Sequence, residues 1–175
     1  MNKTEVSAKK KSIKMSNVQL MNFDRKIMTN SRKLRVVLDS VVAISAFLTD
    51  GLTAKLVSKC QEYAYLYTSE DILQEIRRVL LEKPHIRNRY KYSSENVNLF
   101  ISYLRNISTV VAHLPVIRVI ERDPKDDMII ACAVAISAHY IVSRDQHLLG
   151  LVNYQQIQIV SPEEFIHILR YEIET

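Results

Sequence analysis

The chain has 175 residues, of which 47% are hydrophobic and 25% charged, proportions that suit one soluble globular domain with a real core. No stretch approaches the ~20 apolar residues of a membrane span, and Met15 to Phe23 is too interrupted for a signal sequence, so a cytoplasmic protein without a membrane role is expected. The net charge of +5 is unevenly divided: residues 1–33 hold nine Lys or Arg against Glu5 and Asp24 (+7), and the remainder holds 15 against 17 (−2). Residues 1–33 are expected to be a basic disordered tail, able to add nonspecific affinity for nucleic acid. Translation from Met15, Met21 or Met28 would equally account for that segment.

The domain is expected over 34–170, with 171–175 as a short C-terminal tail. Leu34 to Asp39 is short and rich in branched apolar residues, which predicts a strand buried on both faces of a parallel sheet. Val41 to Leu48 follows as a helix, broken by Thr49-Asp50-Gly51, and Leu52 to Glu62 resumes helically with Leu52, Leu56, Val57 and Cys60 on one face. Tyr63 to Thr68 reads as a second strand. Ser69 caps a helix that runs to about Glu82 and is ended by Pro84. His85 to Tyr92 reads as a loop rich in Arg and Tyr, and Ser93 caps a helix reaching about Asn106. Thr109 to Ala112 is a third strand, and Val116 to Ile120 is an apolar approach to a turn. Asp123-Pro124 opens a helix that is apolar almost all round from Met128 to Ile136, so it must be largely covered. Tyr140 to Val142 is a fourth strand, Gln146 to Gly150 a short helix and Ile157 to Val160 a fifth strand. Ser161-Pro162-Glu163-Glu164 has the form of a capping box before the last helix. This alternation predicts an α/β fold, a three-layer α/β/α sandwich around a parallel sheet of about five strands.

Four acidic positions carry the candidate chemistry, and each also has a purely structural account. Asp39 and Asp145 each follow a strand and could be helix caps. Asp123, Asp126 and Asp127 crowd a helix start, where the dipole favours carboxylates. Glu75 borders the apolar face of Ile72, Leu73, Ile76, Val79 and Leu80, and could be an ordinary solvated glutamate. Residues that follow central strands converge on one edge of a parallel sheet, so Asp39, Asp127 and Asp145 are expected to meet there, with Glu75 arriving from a neighbouring helix. Four carboxylates ~5 Å apart would repel by ~3 kcal/mol per pair at an effective dielectric near 20, enough over six pairs to rival the stability of a domain. Hard cations that prefer oxygen ligands, Mg²⁺ or Mn²⁺, are the natural remedy. Cys60 and Cys132 show no metal-ligand spacing and read as small buried residues; the five histidines show none either.

The chain resembles the PIN domain, the metal-dependent ribonuclease fold of VapC-type toxins in toxin–antitoxin pairs. The resemblance covers about Leu34 to Leu169. It rests on Val36-Val37-Leu38-Asp39-Ser40, on Glu75 within Ile72-Leu73-Gln74-Glu75-Ile76, on Asp123-Pro124-Lys125-Asp126-Asp127 leading into Ile130-Ala131-Cys132-Ala133, on Ile141-Val142-Ser143-Arg144-Asp145 and on Ser161-Pro162-Glu163-Glu164-Phe165. It implies an endoribonuclease that needs Mg²⁺ or Mn²⁺ and leaves a 3′-hydroxyl and a 5′-phosphate. Asp39, Glu75 and Asp127 would be the metal ligands, with Asp126 the rival to Asp127 and Asp145 the fourth acid. A cognate antitoxin and a homodimer are implied with it. One departure stands out: the family commonly has Asn two residues after the first Asp, where this chain has Val41. Ser40 keeps a hydroxyl beside it, and Ser143 adds another next to the fourth acid. Many members also have an Asp where His147 stands. RNA approaching an acidic cleft needs basic residues at the rim, for which Arg77, Arg78, Arg87, Arg89, Lys91 and Arg144 are the candidates, with Tyr90 and Tyr92 available to stack on bases; solvated loop charges and packing tyrosines explain them as well. The competing function is an RNA- or partner-binding module that kept the fold and lost catalysis. A haloacid-dehalogenase-type phosphatase would need Asp at Val41, and a receiver domain would need Lys where Ser161-Pro162 stands.

Overall fold

β1 (Leu34–Leu38) sends alternate side chains into two different cores, which is why Val36, Val37 and Leu38 are apolar without interruption. Val37 joins Ile72, Ile76, Ile130 and Ile141 on one face of the sheet, and Val36 and Leu38 join Leu56, Val57 and Phe165 on the other. These observations come from a computed structural model that describes residues 33–119 and 126–174. The segment through Arg32 and the Asp123-Pro124 turn lie outside the described residues, and with them the expectations placed there. Leu34–Thr175 form one compact unit.

From β1 the chain runs through α1 (Ser40–Leu48) and α2 (Leu52–Tyr63) into β2 (Ala64–Ser69). α3 (Glu70–Glu82), α4 (Pro84–Tyr90) and α5 (Ser94–Ile107) then lead to β3 (Ser108–Val111). α6 (Asp127–Ala135), β4 (Tyr140–Val142), α7 (Gln146–Gly150), β5 (Asn153–Tyr154), β6 (Ile157–Val160) and α8 (Pro162–Glu174) complete the described elements. The sheet order is β3-β2-β1-β4-β6-β5, parallel throughout except for the β5–β6 pair. The chain leaves β1 toward β2 and β3 and returns to β4 on β1's other side. The β1–β4 boundary is therefore the topological switch point, the place where open α/β sheets take their ligands.

The caps form as their residue types dictate. Ser69 Oγ accepts from Ile72 N at 3.3 Å, and Ser93 and Asn96 make a reciprocal capping box. Ser161 Oγ accepts from Glu164 N at 3.2 Å, and Glu164 Oε2 accepts from Ser161 N at 2.8 Å. α6 is covered on nearly every side: Ile129, Ile130, Ala131, Cys132 and Ala133 are all buried.

The sheet expected to have about five strands is present with six; the added one, β5, has two residues, too few to show a period. Two expectations need correction. The third strand begins at Ser108 and ends at Val111, so Ala112 lies beyond it. The expected loop from His85 to Tyr92 is mostly α4, a helix with no buried residue. Helices are recognised by an apolar stripe, and α4 has none to show. Pro84, read as the end of α3, is also the first residue of α4, where its missing N–H is no loss. Lys91, at φ 49°, turns the chain out of the helix.

Both cysteines are buried, Cys60 against α8's packing face and Cys132 inside α6's cluster. Burial pushes each thiol up to about 12, so almost no thiolate exists at neutral pH. A thiol reagent at pH 8 should label neither cysteine in the folded protein and both in denaturant; fast labelling of the folded chain would contradict this packing.

Candidate active site

Asp39 sits at the carboxyl end of β1 with only 1% of its surface exposed, far more burial than a helix cap requires. It does cap α1: Oδ1 accepts from Val41 N at 3.4 Å and from Ser40 Oγ at 3.3 Å. The shorter bond is on the other oxygen, where Ser143 Oγ donates to Oδ2 at 2.6 Å. Ser143 follows β4 directly, so this bond closes the switch point; β1 and β4 are also joined there by Asp39 N donating to Val142 O at 2.9 Å. The same Ser143 oxygen accepts from Asp145 N at 2.9 Å. One buried hydroxyl therefore fixes the side chain of one acid and the backbone of another. Asp145 in turn caps α7, accepting from His147 N at 2.6 Å.

Burial raises the pKa of Asp39 above the ordinary aspartate value, against the lowering effect of the Ser143, Val41 and Ser40 hydrogen bonds, and the nearby Asp145 charge raises it further. Among the described residues no Lys or Arg forms an ion pair with either acid. The pair thus presents carboxyl oxygens with no basic partner among those residues.

The other expected acids have bonds of their own. Glu75, on α3, holds Arg78 in a fork, Oε2 to Nε at 2.9 Å and Oε1 to Nη2 at 2.8 Å. Asp127 is buried at the start of α6, and its Oδ1 accepts from Val119 N at 3.0 Å. Asp126 precedes it; its backbone carbonyl accepts from Ile129 N and Ile130 N, and its side chain makes no capping bond. Among the described residues no three His, Cys, Asp or Glu side chains gather into a metal-holding group.

Of the expected rim cations, Arg78 is engaged by Glu75 and approaches Glu82 at 3.8 Å, and Arg144 pairs with Glu163 at 2.5 Å. Arg77 is exposed on α3, whereas Arg87, Arg89 and Lys91 lie on or just after α4. Tyr92 is tucked in: its hydroxyl donates to Leu80 O at 2.7 Å and its ring meets Phe47 edge-on at 5.0 Å. Sequence reasoning missed the Glu75–Arg78 fork, although opposite charges three apart on a helix announce it. It also missed the Val119 N–H, for which no side-chain pattern gives a signal.

Residues 35–147 match the PIN domain. The chain belongs to the PIN domain family. The matched span includes Asp39, Glu75, Asp126, Asp127, Ser143 and Asp145, and the mostly parallel sheet flanked by helices is the fold expected of the family. PIN domains are nuclease-type folds that typically use divalent metals. A comparison with curated proteins returns no match. The Asp39–Asp145 pair fits such an ion on its own chemistry: a hard cation takes carboxylate oxygens, Mg²⁺ commonly through only one or two of them, and positive charge would relieve the ionisation penalty on Asp39. No single helix among the described residues is long and apolar enough to cross a membrane.

Proposed function

We propose that this PIN domain is a Mg²⁺- or Mn²⁺-dependent endoribonuclease. The observation that carries the proposal is Asp39: a carboxylate buried at the switch point, burdened by its own charge and by that of Asp145, with no basic residue among those described paired to it. Asp39 and Asp145 would hold the ion; Glu75 and Asp127, with Asp126 beside it, are the further acids of the family pattern. A bound divalent ion supplies an activated water and steadies the leaving oxygen in phosphodiester hydrolysis. The chain's own part is positional. Ser143 aims Asp39 Oδ2 and holds the Asp145 backbone, while Ser40 and the Val41 N–H secure Asp39 Oδ1. Val41, 45% exposed, offers an apolar side chain where the family commonly has an amide, so polar support for the acids falls to the two serines.

The toxin assignment extends this proposal, with a cognate antitoxin, a homodimer and a cytoplasmic location. A second function has one observation of its own: the fork to Arg78 occupies both oxygens of Glu75, as suits a binding module that has given up catalysis. Incubating the purified chain with single-stranded RNA in Mn²⁺, in Mg²⁺ and in EDTA separates the two. Cutting that requires metal and is lost in Asp39→Asn is expected. RNA that is bound yet intact under every condition would leave the binding module.

A further inference from the structure

We propose that α4 is a docking site for single-stranded RNA, holding the substrate strand at a distance from the acids that cleave it. The inference rests on the nuclease reading for its role and on α4 itself for its chemistry. Lys83, Arg87, Arg89 and Lys91 fall within nine residues, with His85 among them and no acid from Lys83 through Ser94. From residue 34 onward the chain carries 15 Lys or Arg against 17 Asp or Glu, so this is a strong local concentration of positive charge on a slightly acidic domain. None of the four cations forms an ion pair with a described residue, whereas Arg78, Arg105 and Arg144 all do. A helix that buries nothing has no packing reason to collect unneutralised cations, and their mutual repulsion disfavours the arrangement unless a polyanion relieves it.

The patch also carries an aromatic. Arg89 lies over the ring of Tyr90, 5.4 Å from its centroid, and Tyr90 is 37% exposed. Tyr92, by contrast, anchors the base of the arm through Leu80 O and Phe47, and Phe47 packs on Phe100 at 4.9 Å. The arm is therefore fixed at its root and open at its tip. Cations for phosphates beside an open ring for an unpaired base are the combination that single-stranded nucleic acid recognises. Two helical rulers put this platform away from the acids: Phe47 lies eight residues along α1 from Asp39, and Lys83 eight residues along α3 from Glu75, each roughly 12 Å. At that separation α4 does not touch the reacting phosphate, so it governs substrate affinity and leaves the chemical step alone.

The test uses the full chain with Lys83, Arg87 and Arg89 changed together to Ala, and Tyr90→Ala separately. Unchanged circular dichroism is expected, since α4 buries no residue. On a 20-nucleotide single strand the triple variant should raise KM by ~10-fold or more at unchanged kcat. Equilibrium binding, measured in an Asp39→Asn background, should show a salt slope shallower by about two, because each phosphate neutralised on a single strand contributes ~0.7 to that slope. Tyr90→Ala should lose ~10-fold in affinity for the single strand and little for duplex RNA. A patch-dependent loss of binding in a chain that never cleaves RNA would keep the docking site and remove the nuclease. Cleavage with KM, affinity and salt slope all unmoved would overturn the docking site, keep the nuclease and leave the patch to an acidic protein partner.

Discussion

Asp39→Asn should make the metal-free protein more stable while removing its metal dependence. The sign follows from the raised pKa of Asp39, caused first by burial. A carboxylate that binds its proton more tightly folded than unfolded stabilises the fold below its unfolded pKa, near 3.8, and loses that contribution as pH rises through the folded value. Above the folded value the wild type carries a buried charge without a basic partner among the described residues, and the amide does not. The substitution keeps part of this bonding: the amide oxygen can still accept from Val41 N, and the Ser143 hydroxyl, which loses Asp39 Oδ2 as its acceptor, has a spare lone pair with which to accept from the new N–H. An increase of about 1 kcal/mol, or ~2–4 °C in Tm at this chain length, is expected at pH 7 in EDTA, shrinking toward pH 4. Saturating Mg²⁺ or Mn²⁺ should reverse the order, since a ligand at 100 times its Kd adds ~2.7 kcal/mol to the wild type alone. RNA cleavage should fall by more than the ~10–100-fold that supporting residues command. A variant less stable than wild type in EDTA, with equal response to metal, would show that Asp39 is a structural cap and nothing more.

Burial and strand order explain which parts of the molecule its sequence announces. β1 is visible because burial on both faces demands branched apolar residues at Val36, Val37 and Leu38, and α6 because a helix that is apolar all round has to be covered. The switch point follows from strand order, and with it the meeting of Asp39 and Ser143 across 104 residues. α4 is invisible to periodicity because it buries nothing, and β5 because two residues have no period. The acids divide in the same way. Asp39 and Asp145 come together because strand ends are placed by the sheet, which the alternation of elements encodes. Glu75, half-buried on α3, and Asp127, buried at the start of α6, each take a partner at hand: Arg78 is one turn away from Glu75, and the Val119 N–H reaches Asp127 from a segment without regular structure. Spacing records that carboxylates are present on neighbouring elements; it does not record which donor each will choose.

Ser143→Ala should produce the second large effect, and one that separates positioning from packing. The hydroxyl is fully buried, donates to Asp39 Oδ2 and accepts from Asp145 N, so its removal withdraws a partner from a buried carboxylate and from a backbone N–H at once. Leaving such groups unsatisfied costs about 1–3 kcal/mol each, which predicts a Tm lower by several degrees in EDTA. Losing the bond that lowers the pKa of Asp39 moves that pKa still higher, so the fall of metal-free stability with rising pH should extend to higher pH than in the wild type. Metal affinity should weaken by ~10–100-fold, with cleavage recoverable at high Mn²⁺, because the carboxylates remain and only their support is gone. The pairing with Asp39→Asn is the decisive comparison. If Ser143 acts through the Asp39 charge, its removal costs less once that charge is an amide, and the two substitutions are non-additive by about 0.5 kcal/mol or more, within the ~0.5–3 kcal/mol seen for residues in contact. Strict additivity, with metal affinity untouched by Ser143→Ala, would reduce the hydroxyl to filler between β1 and β4.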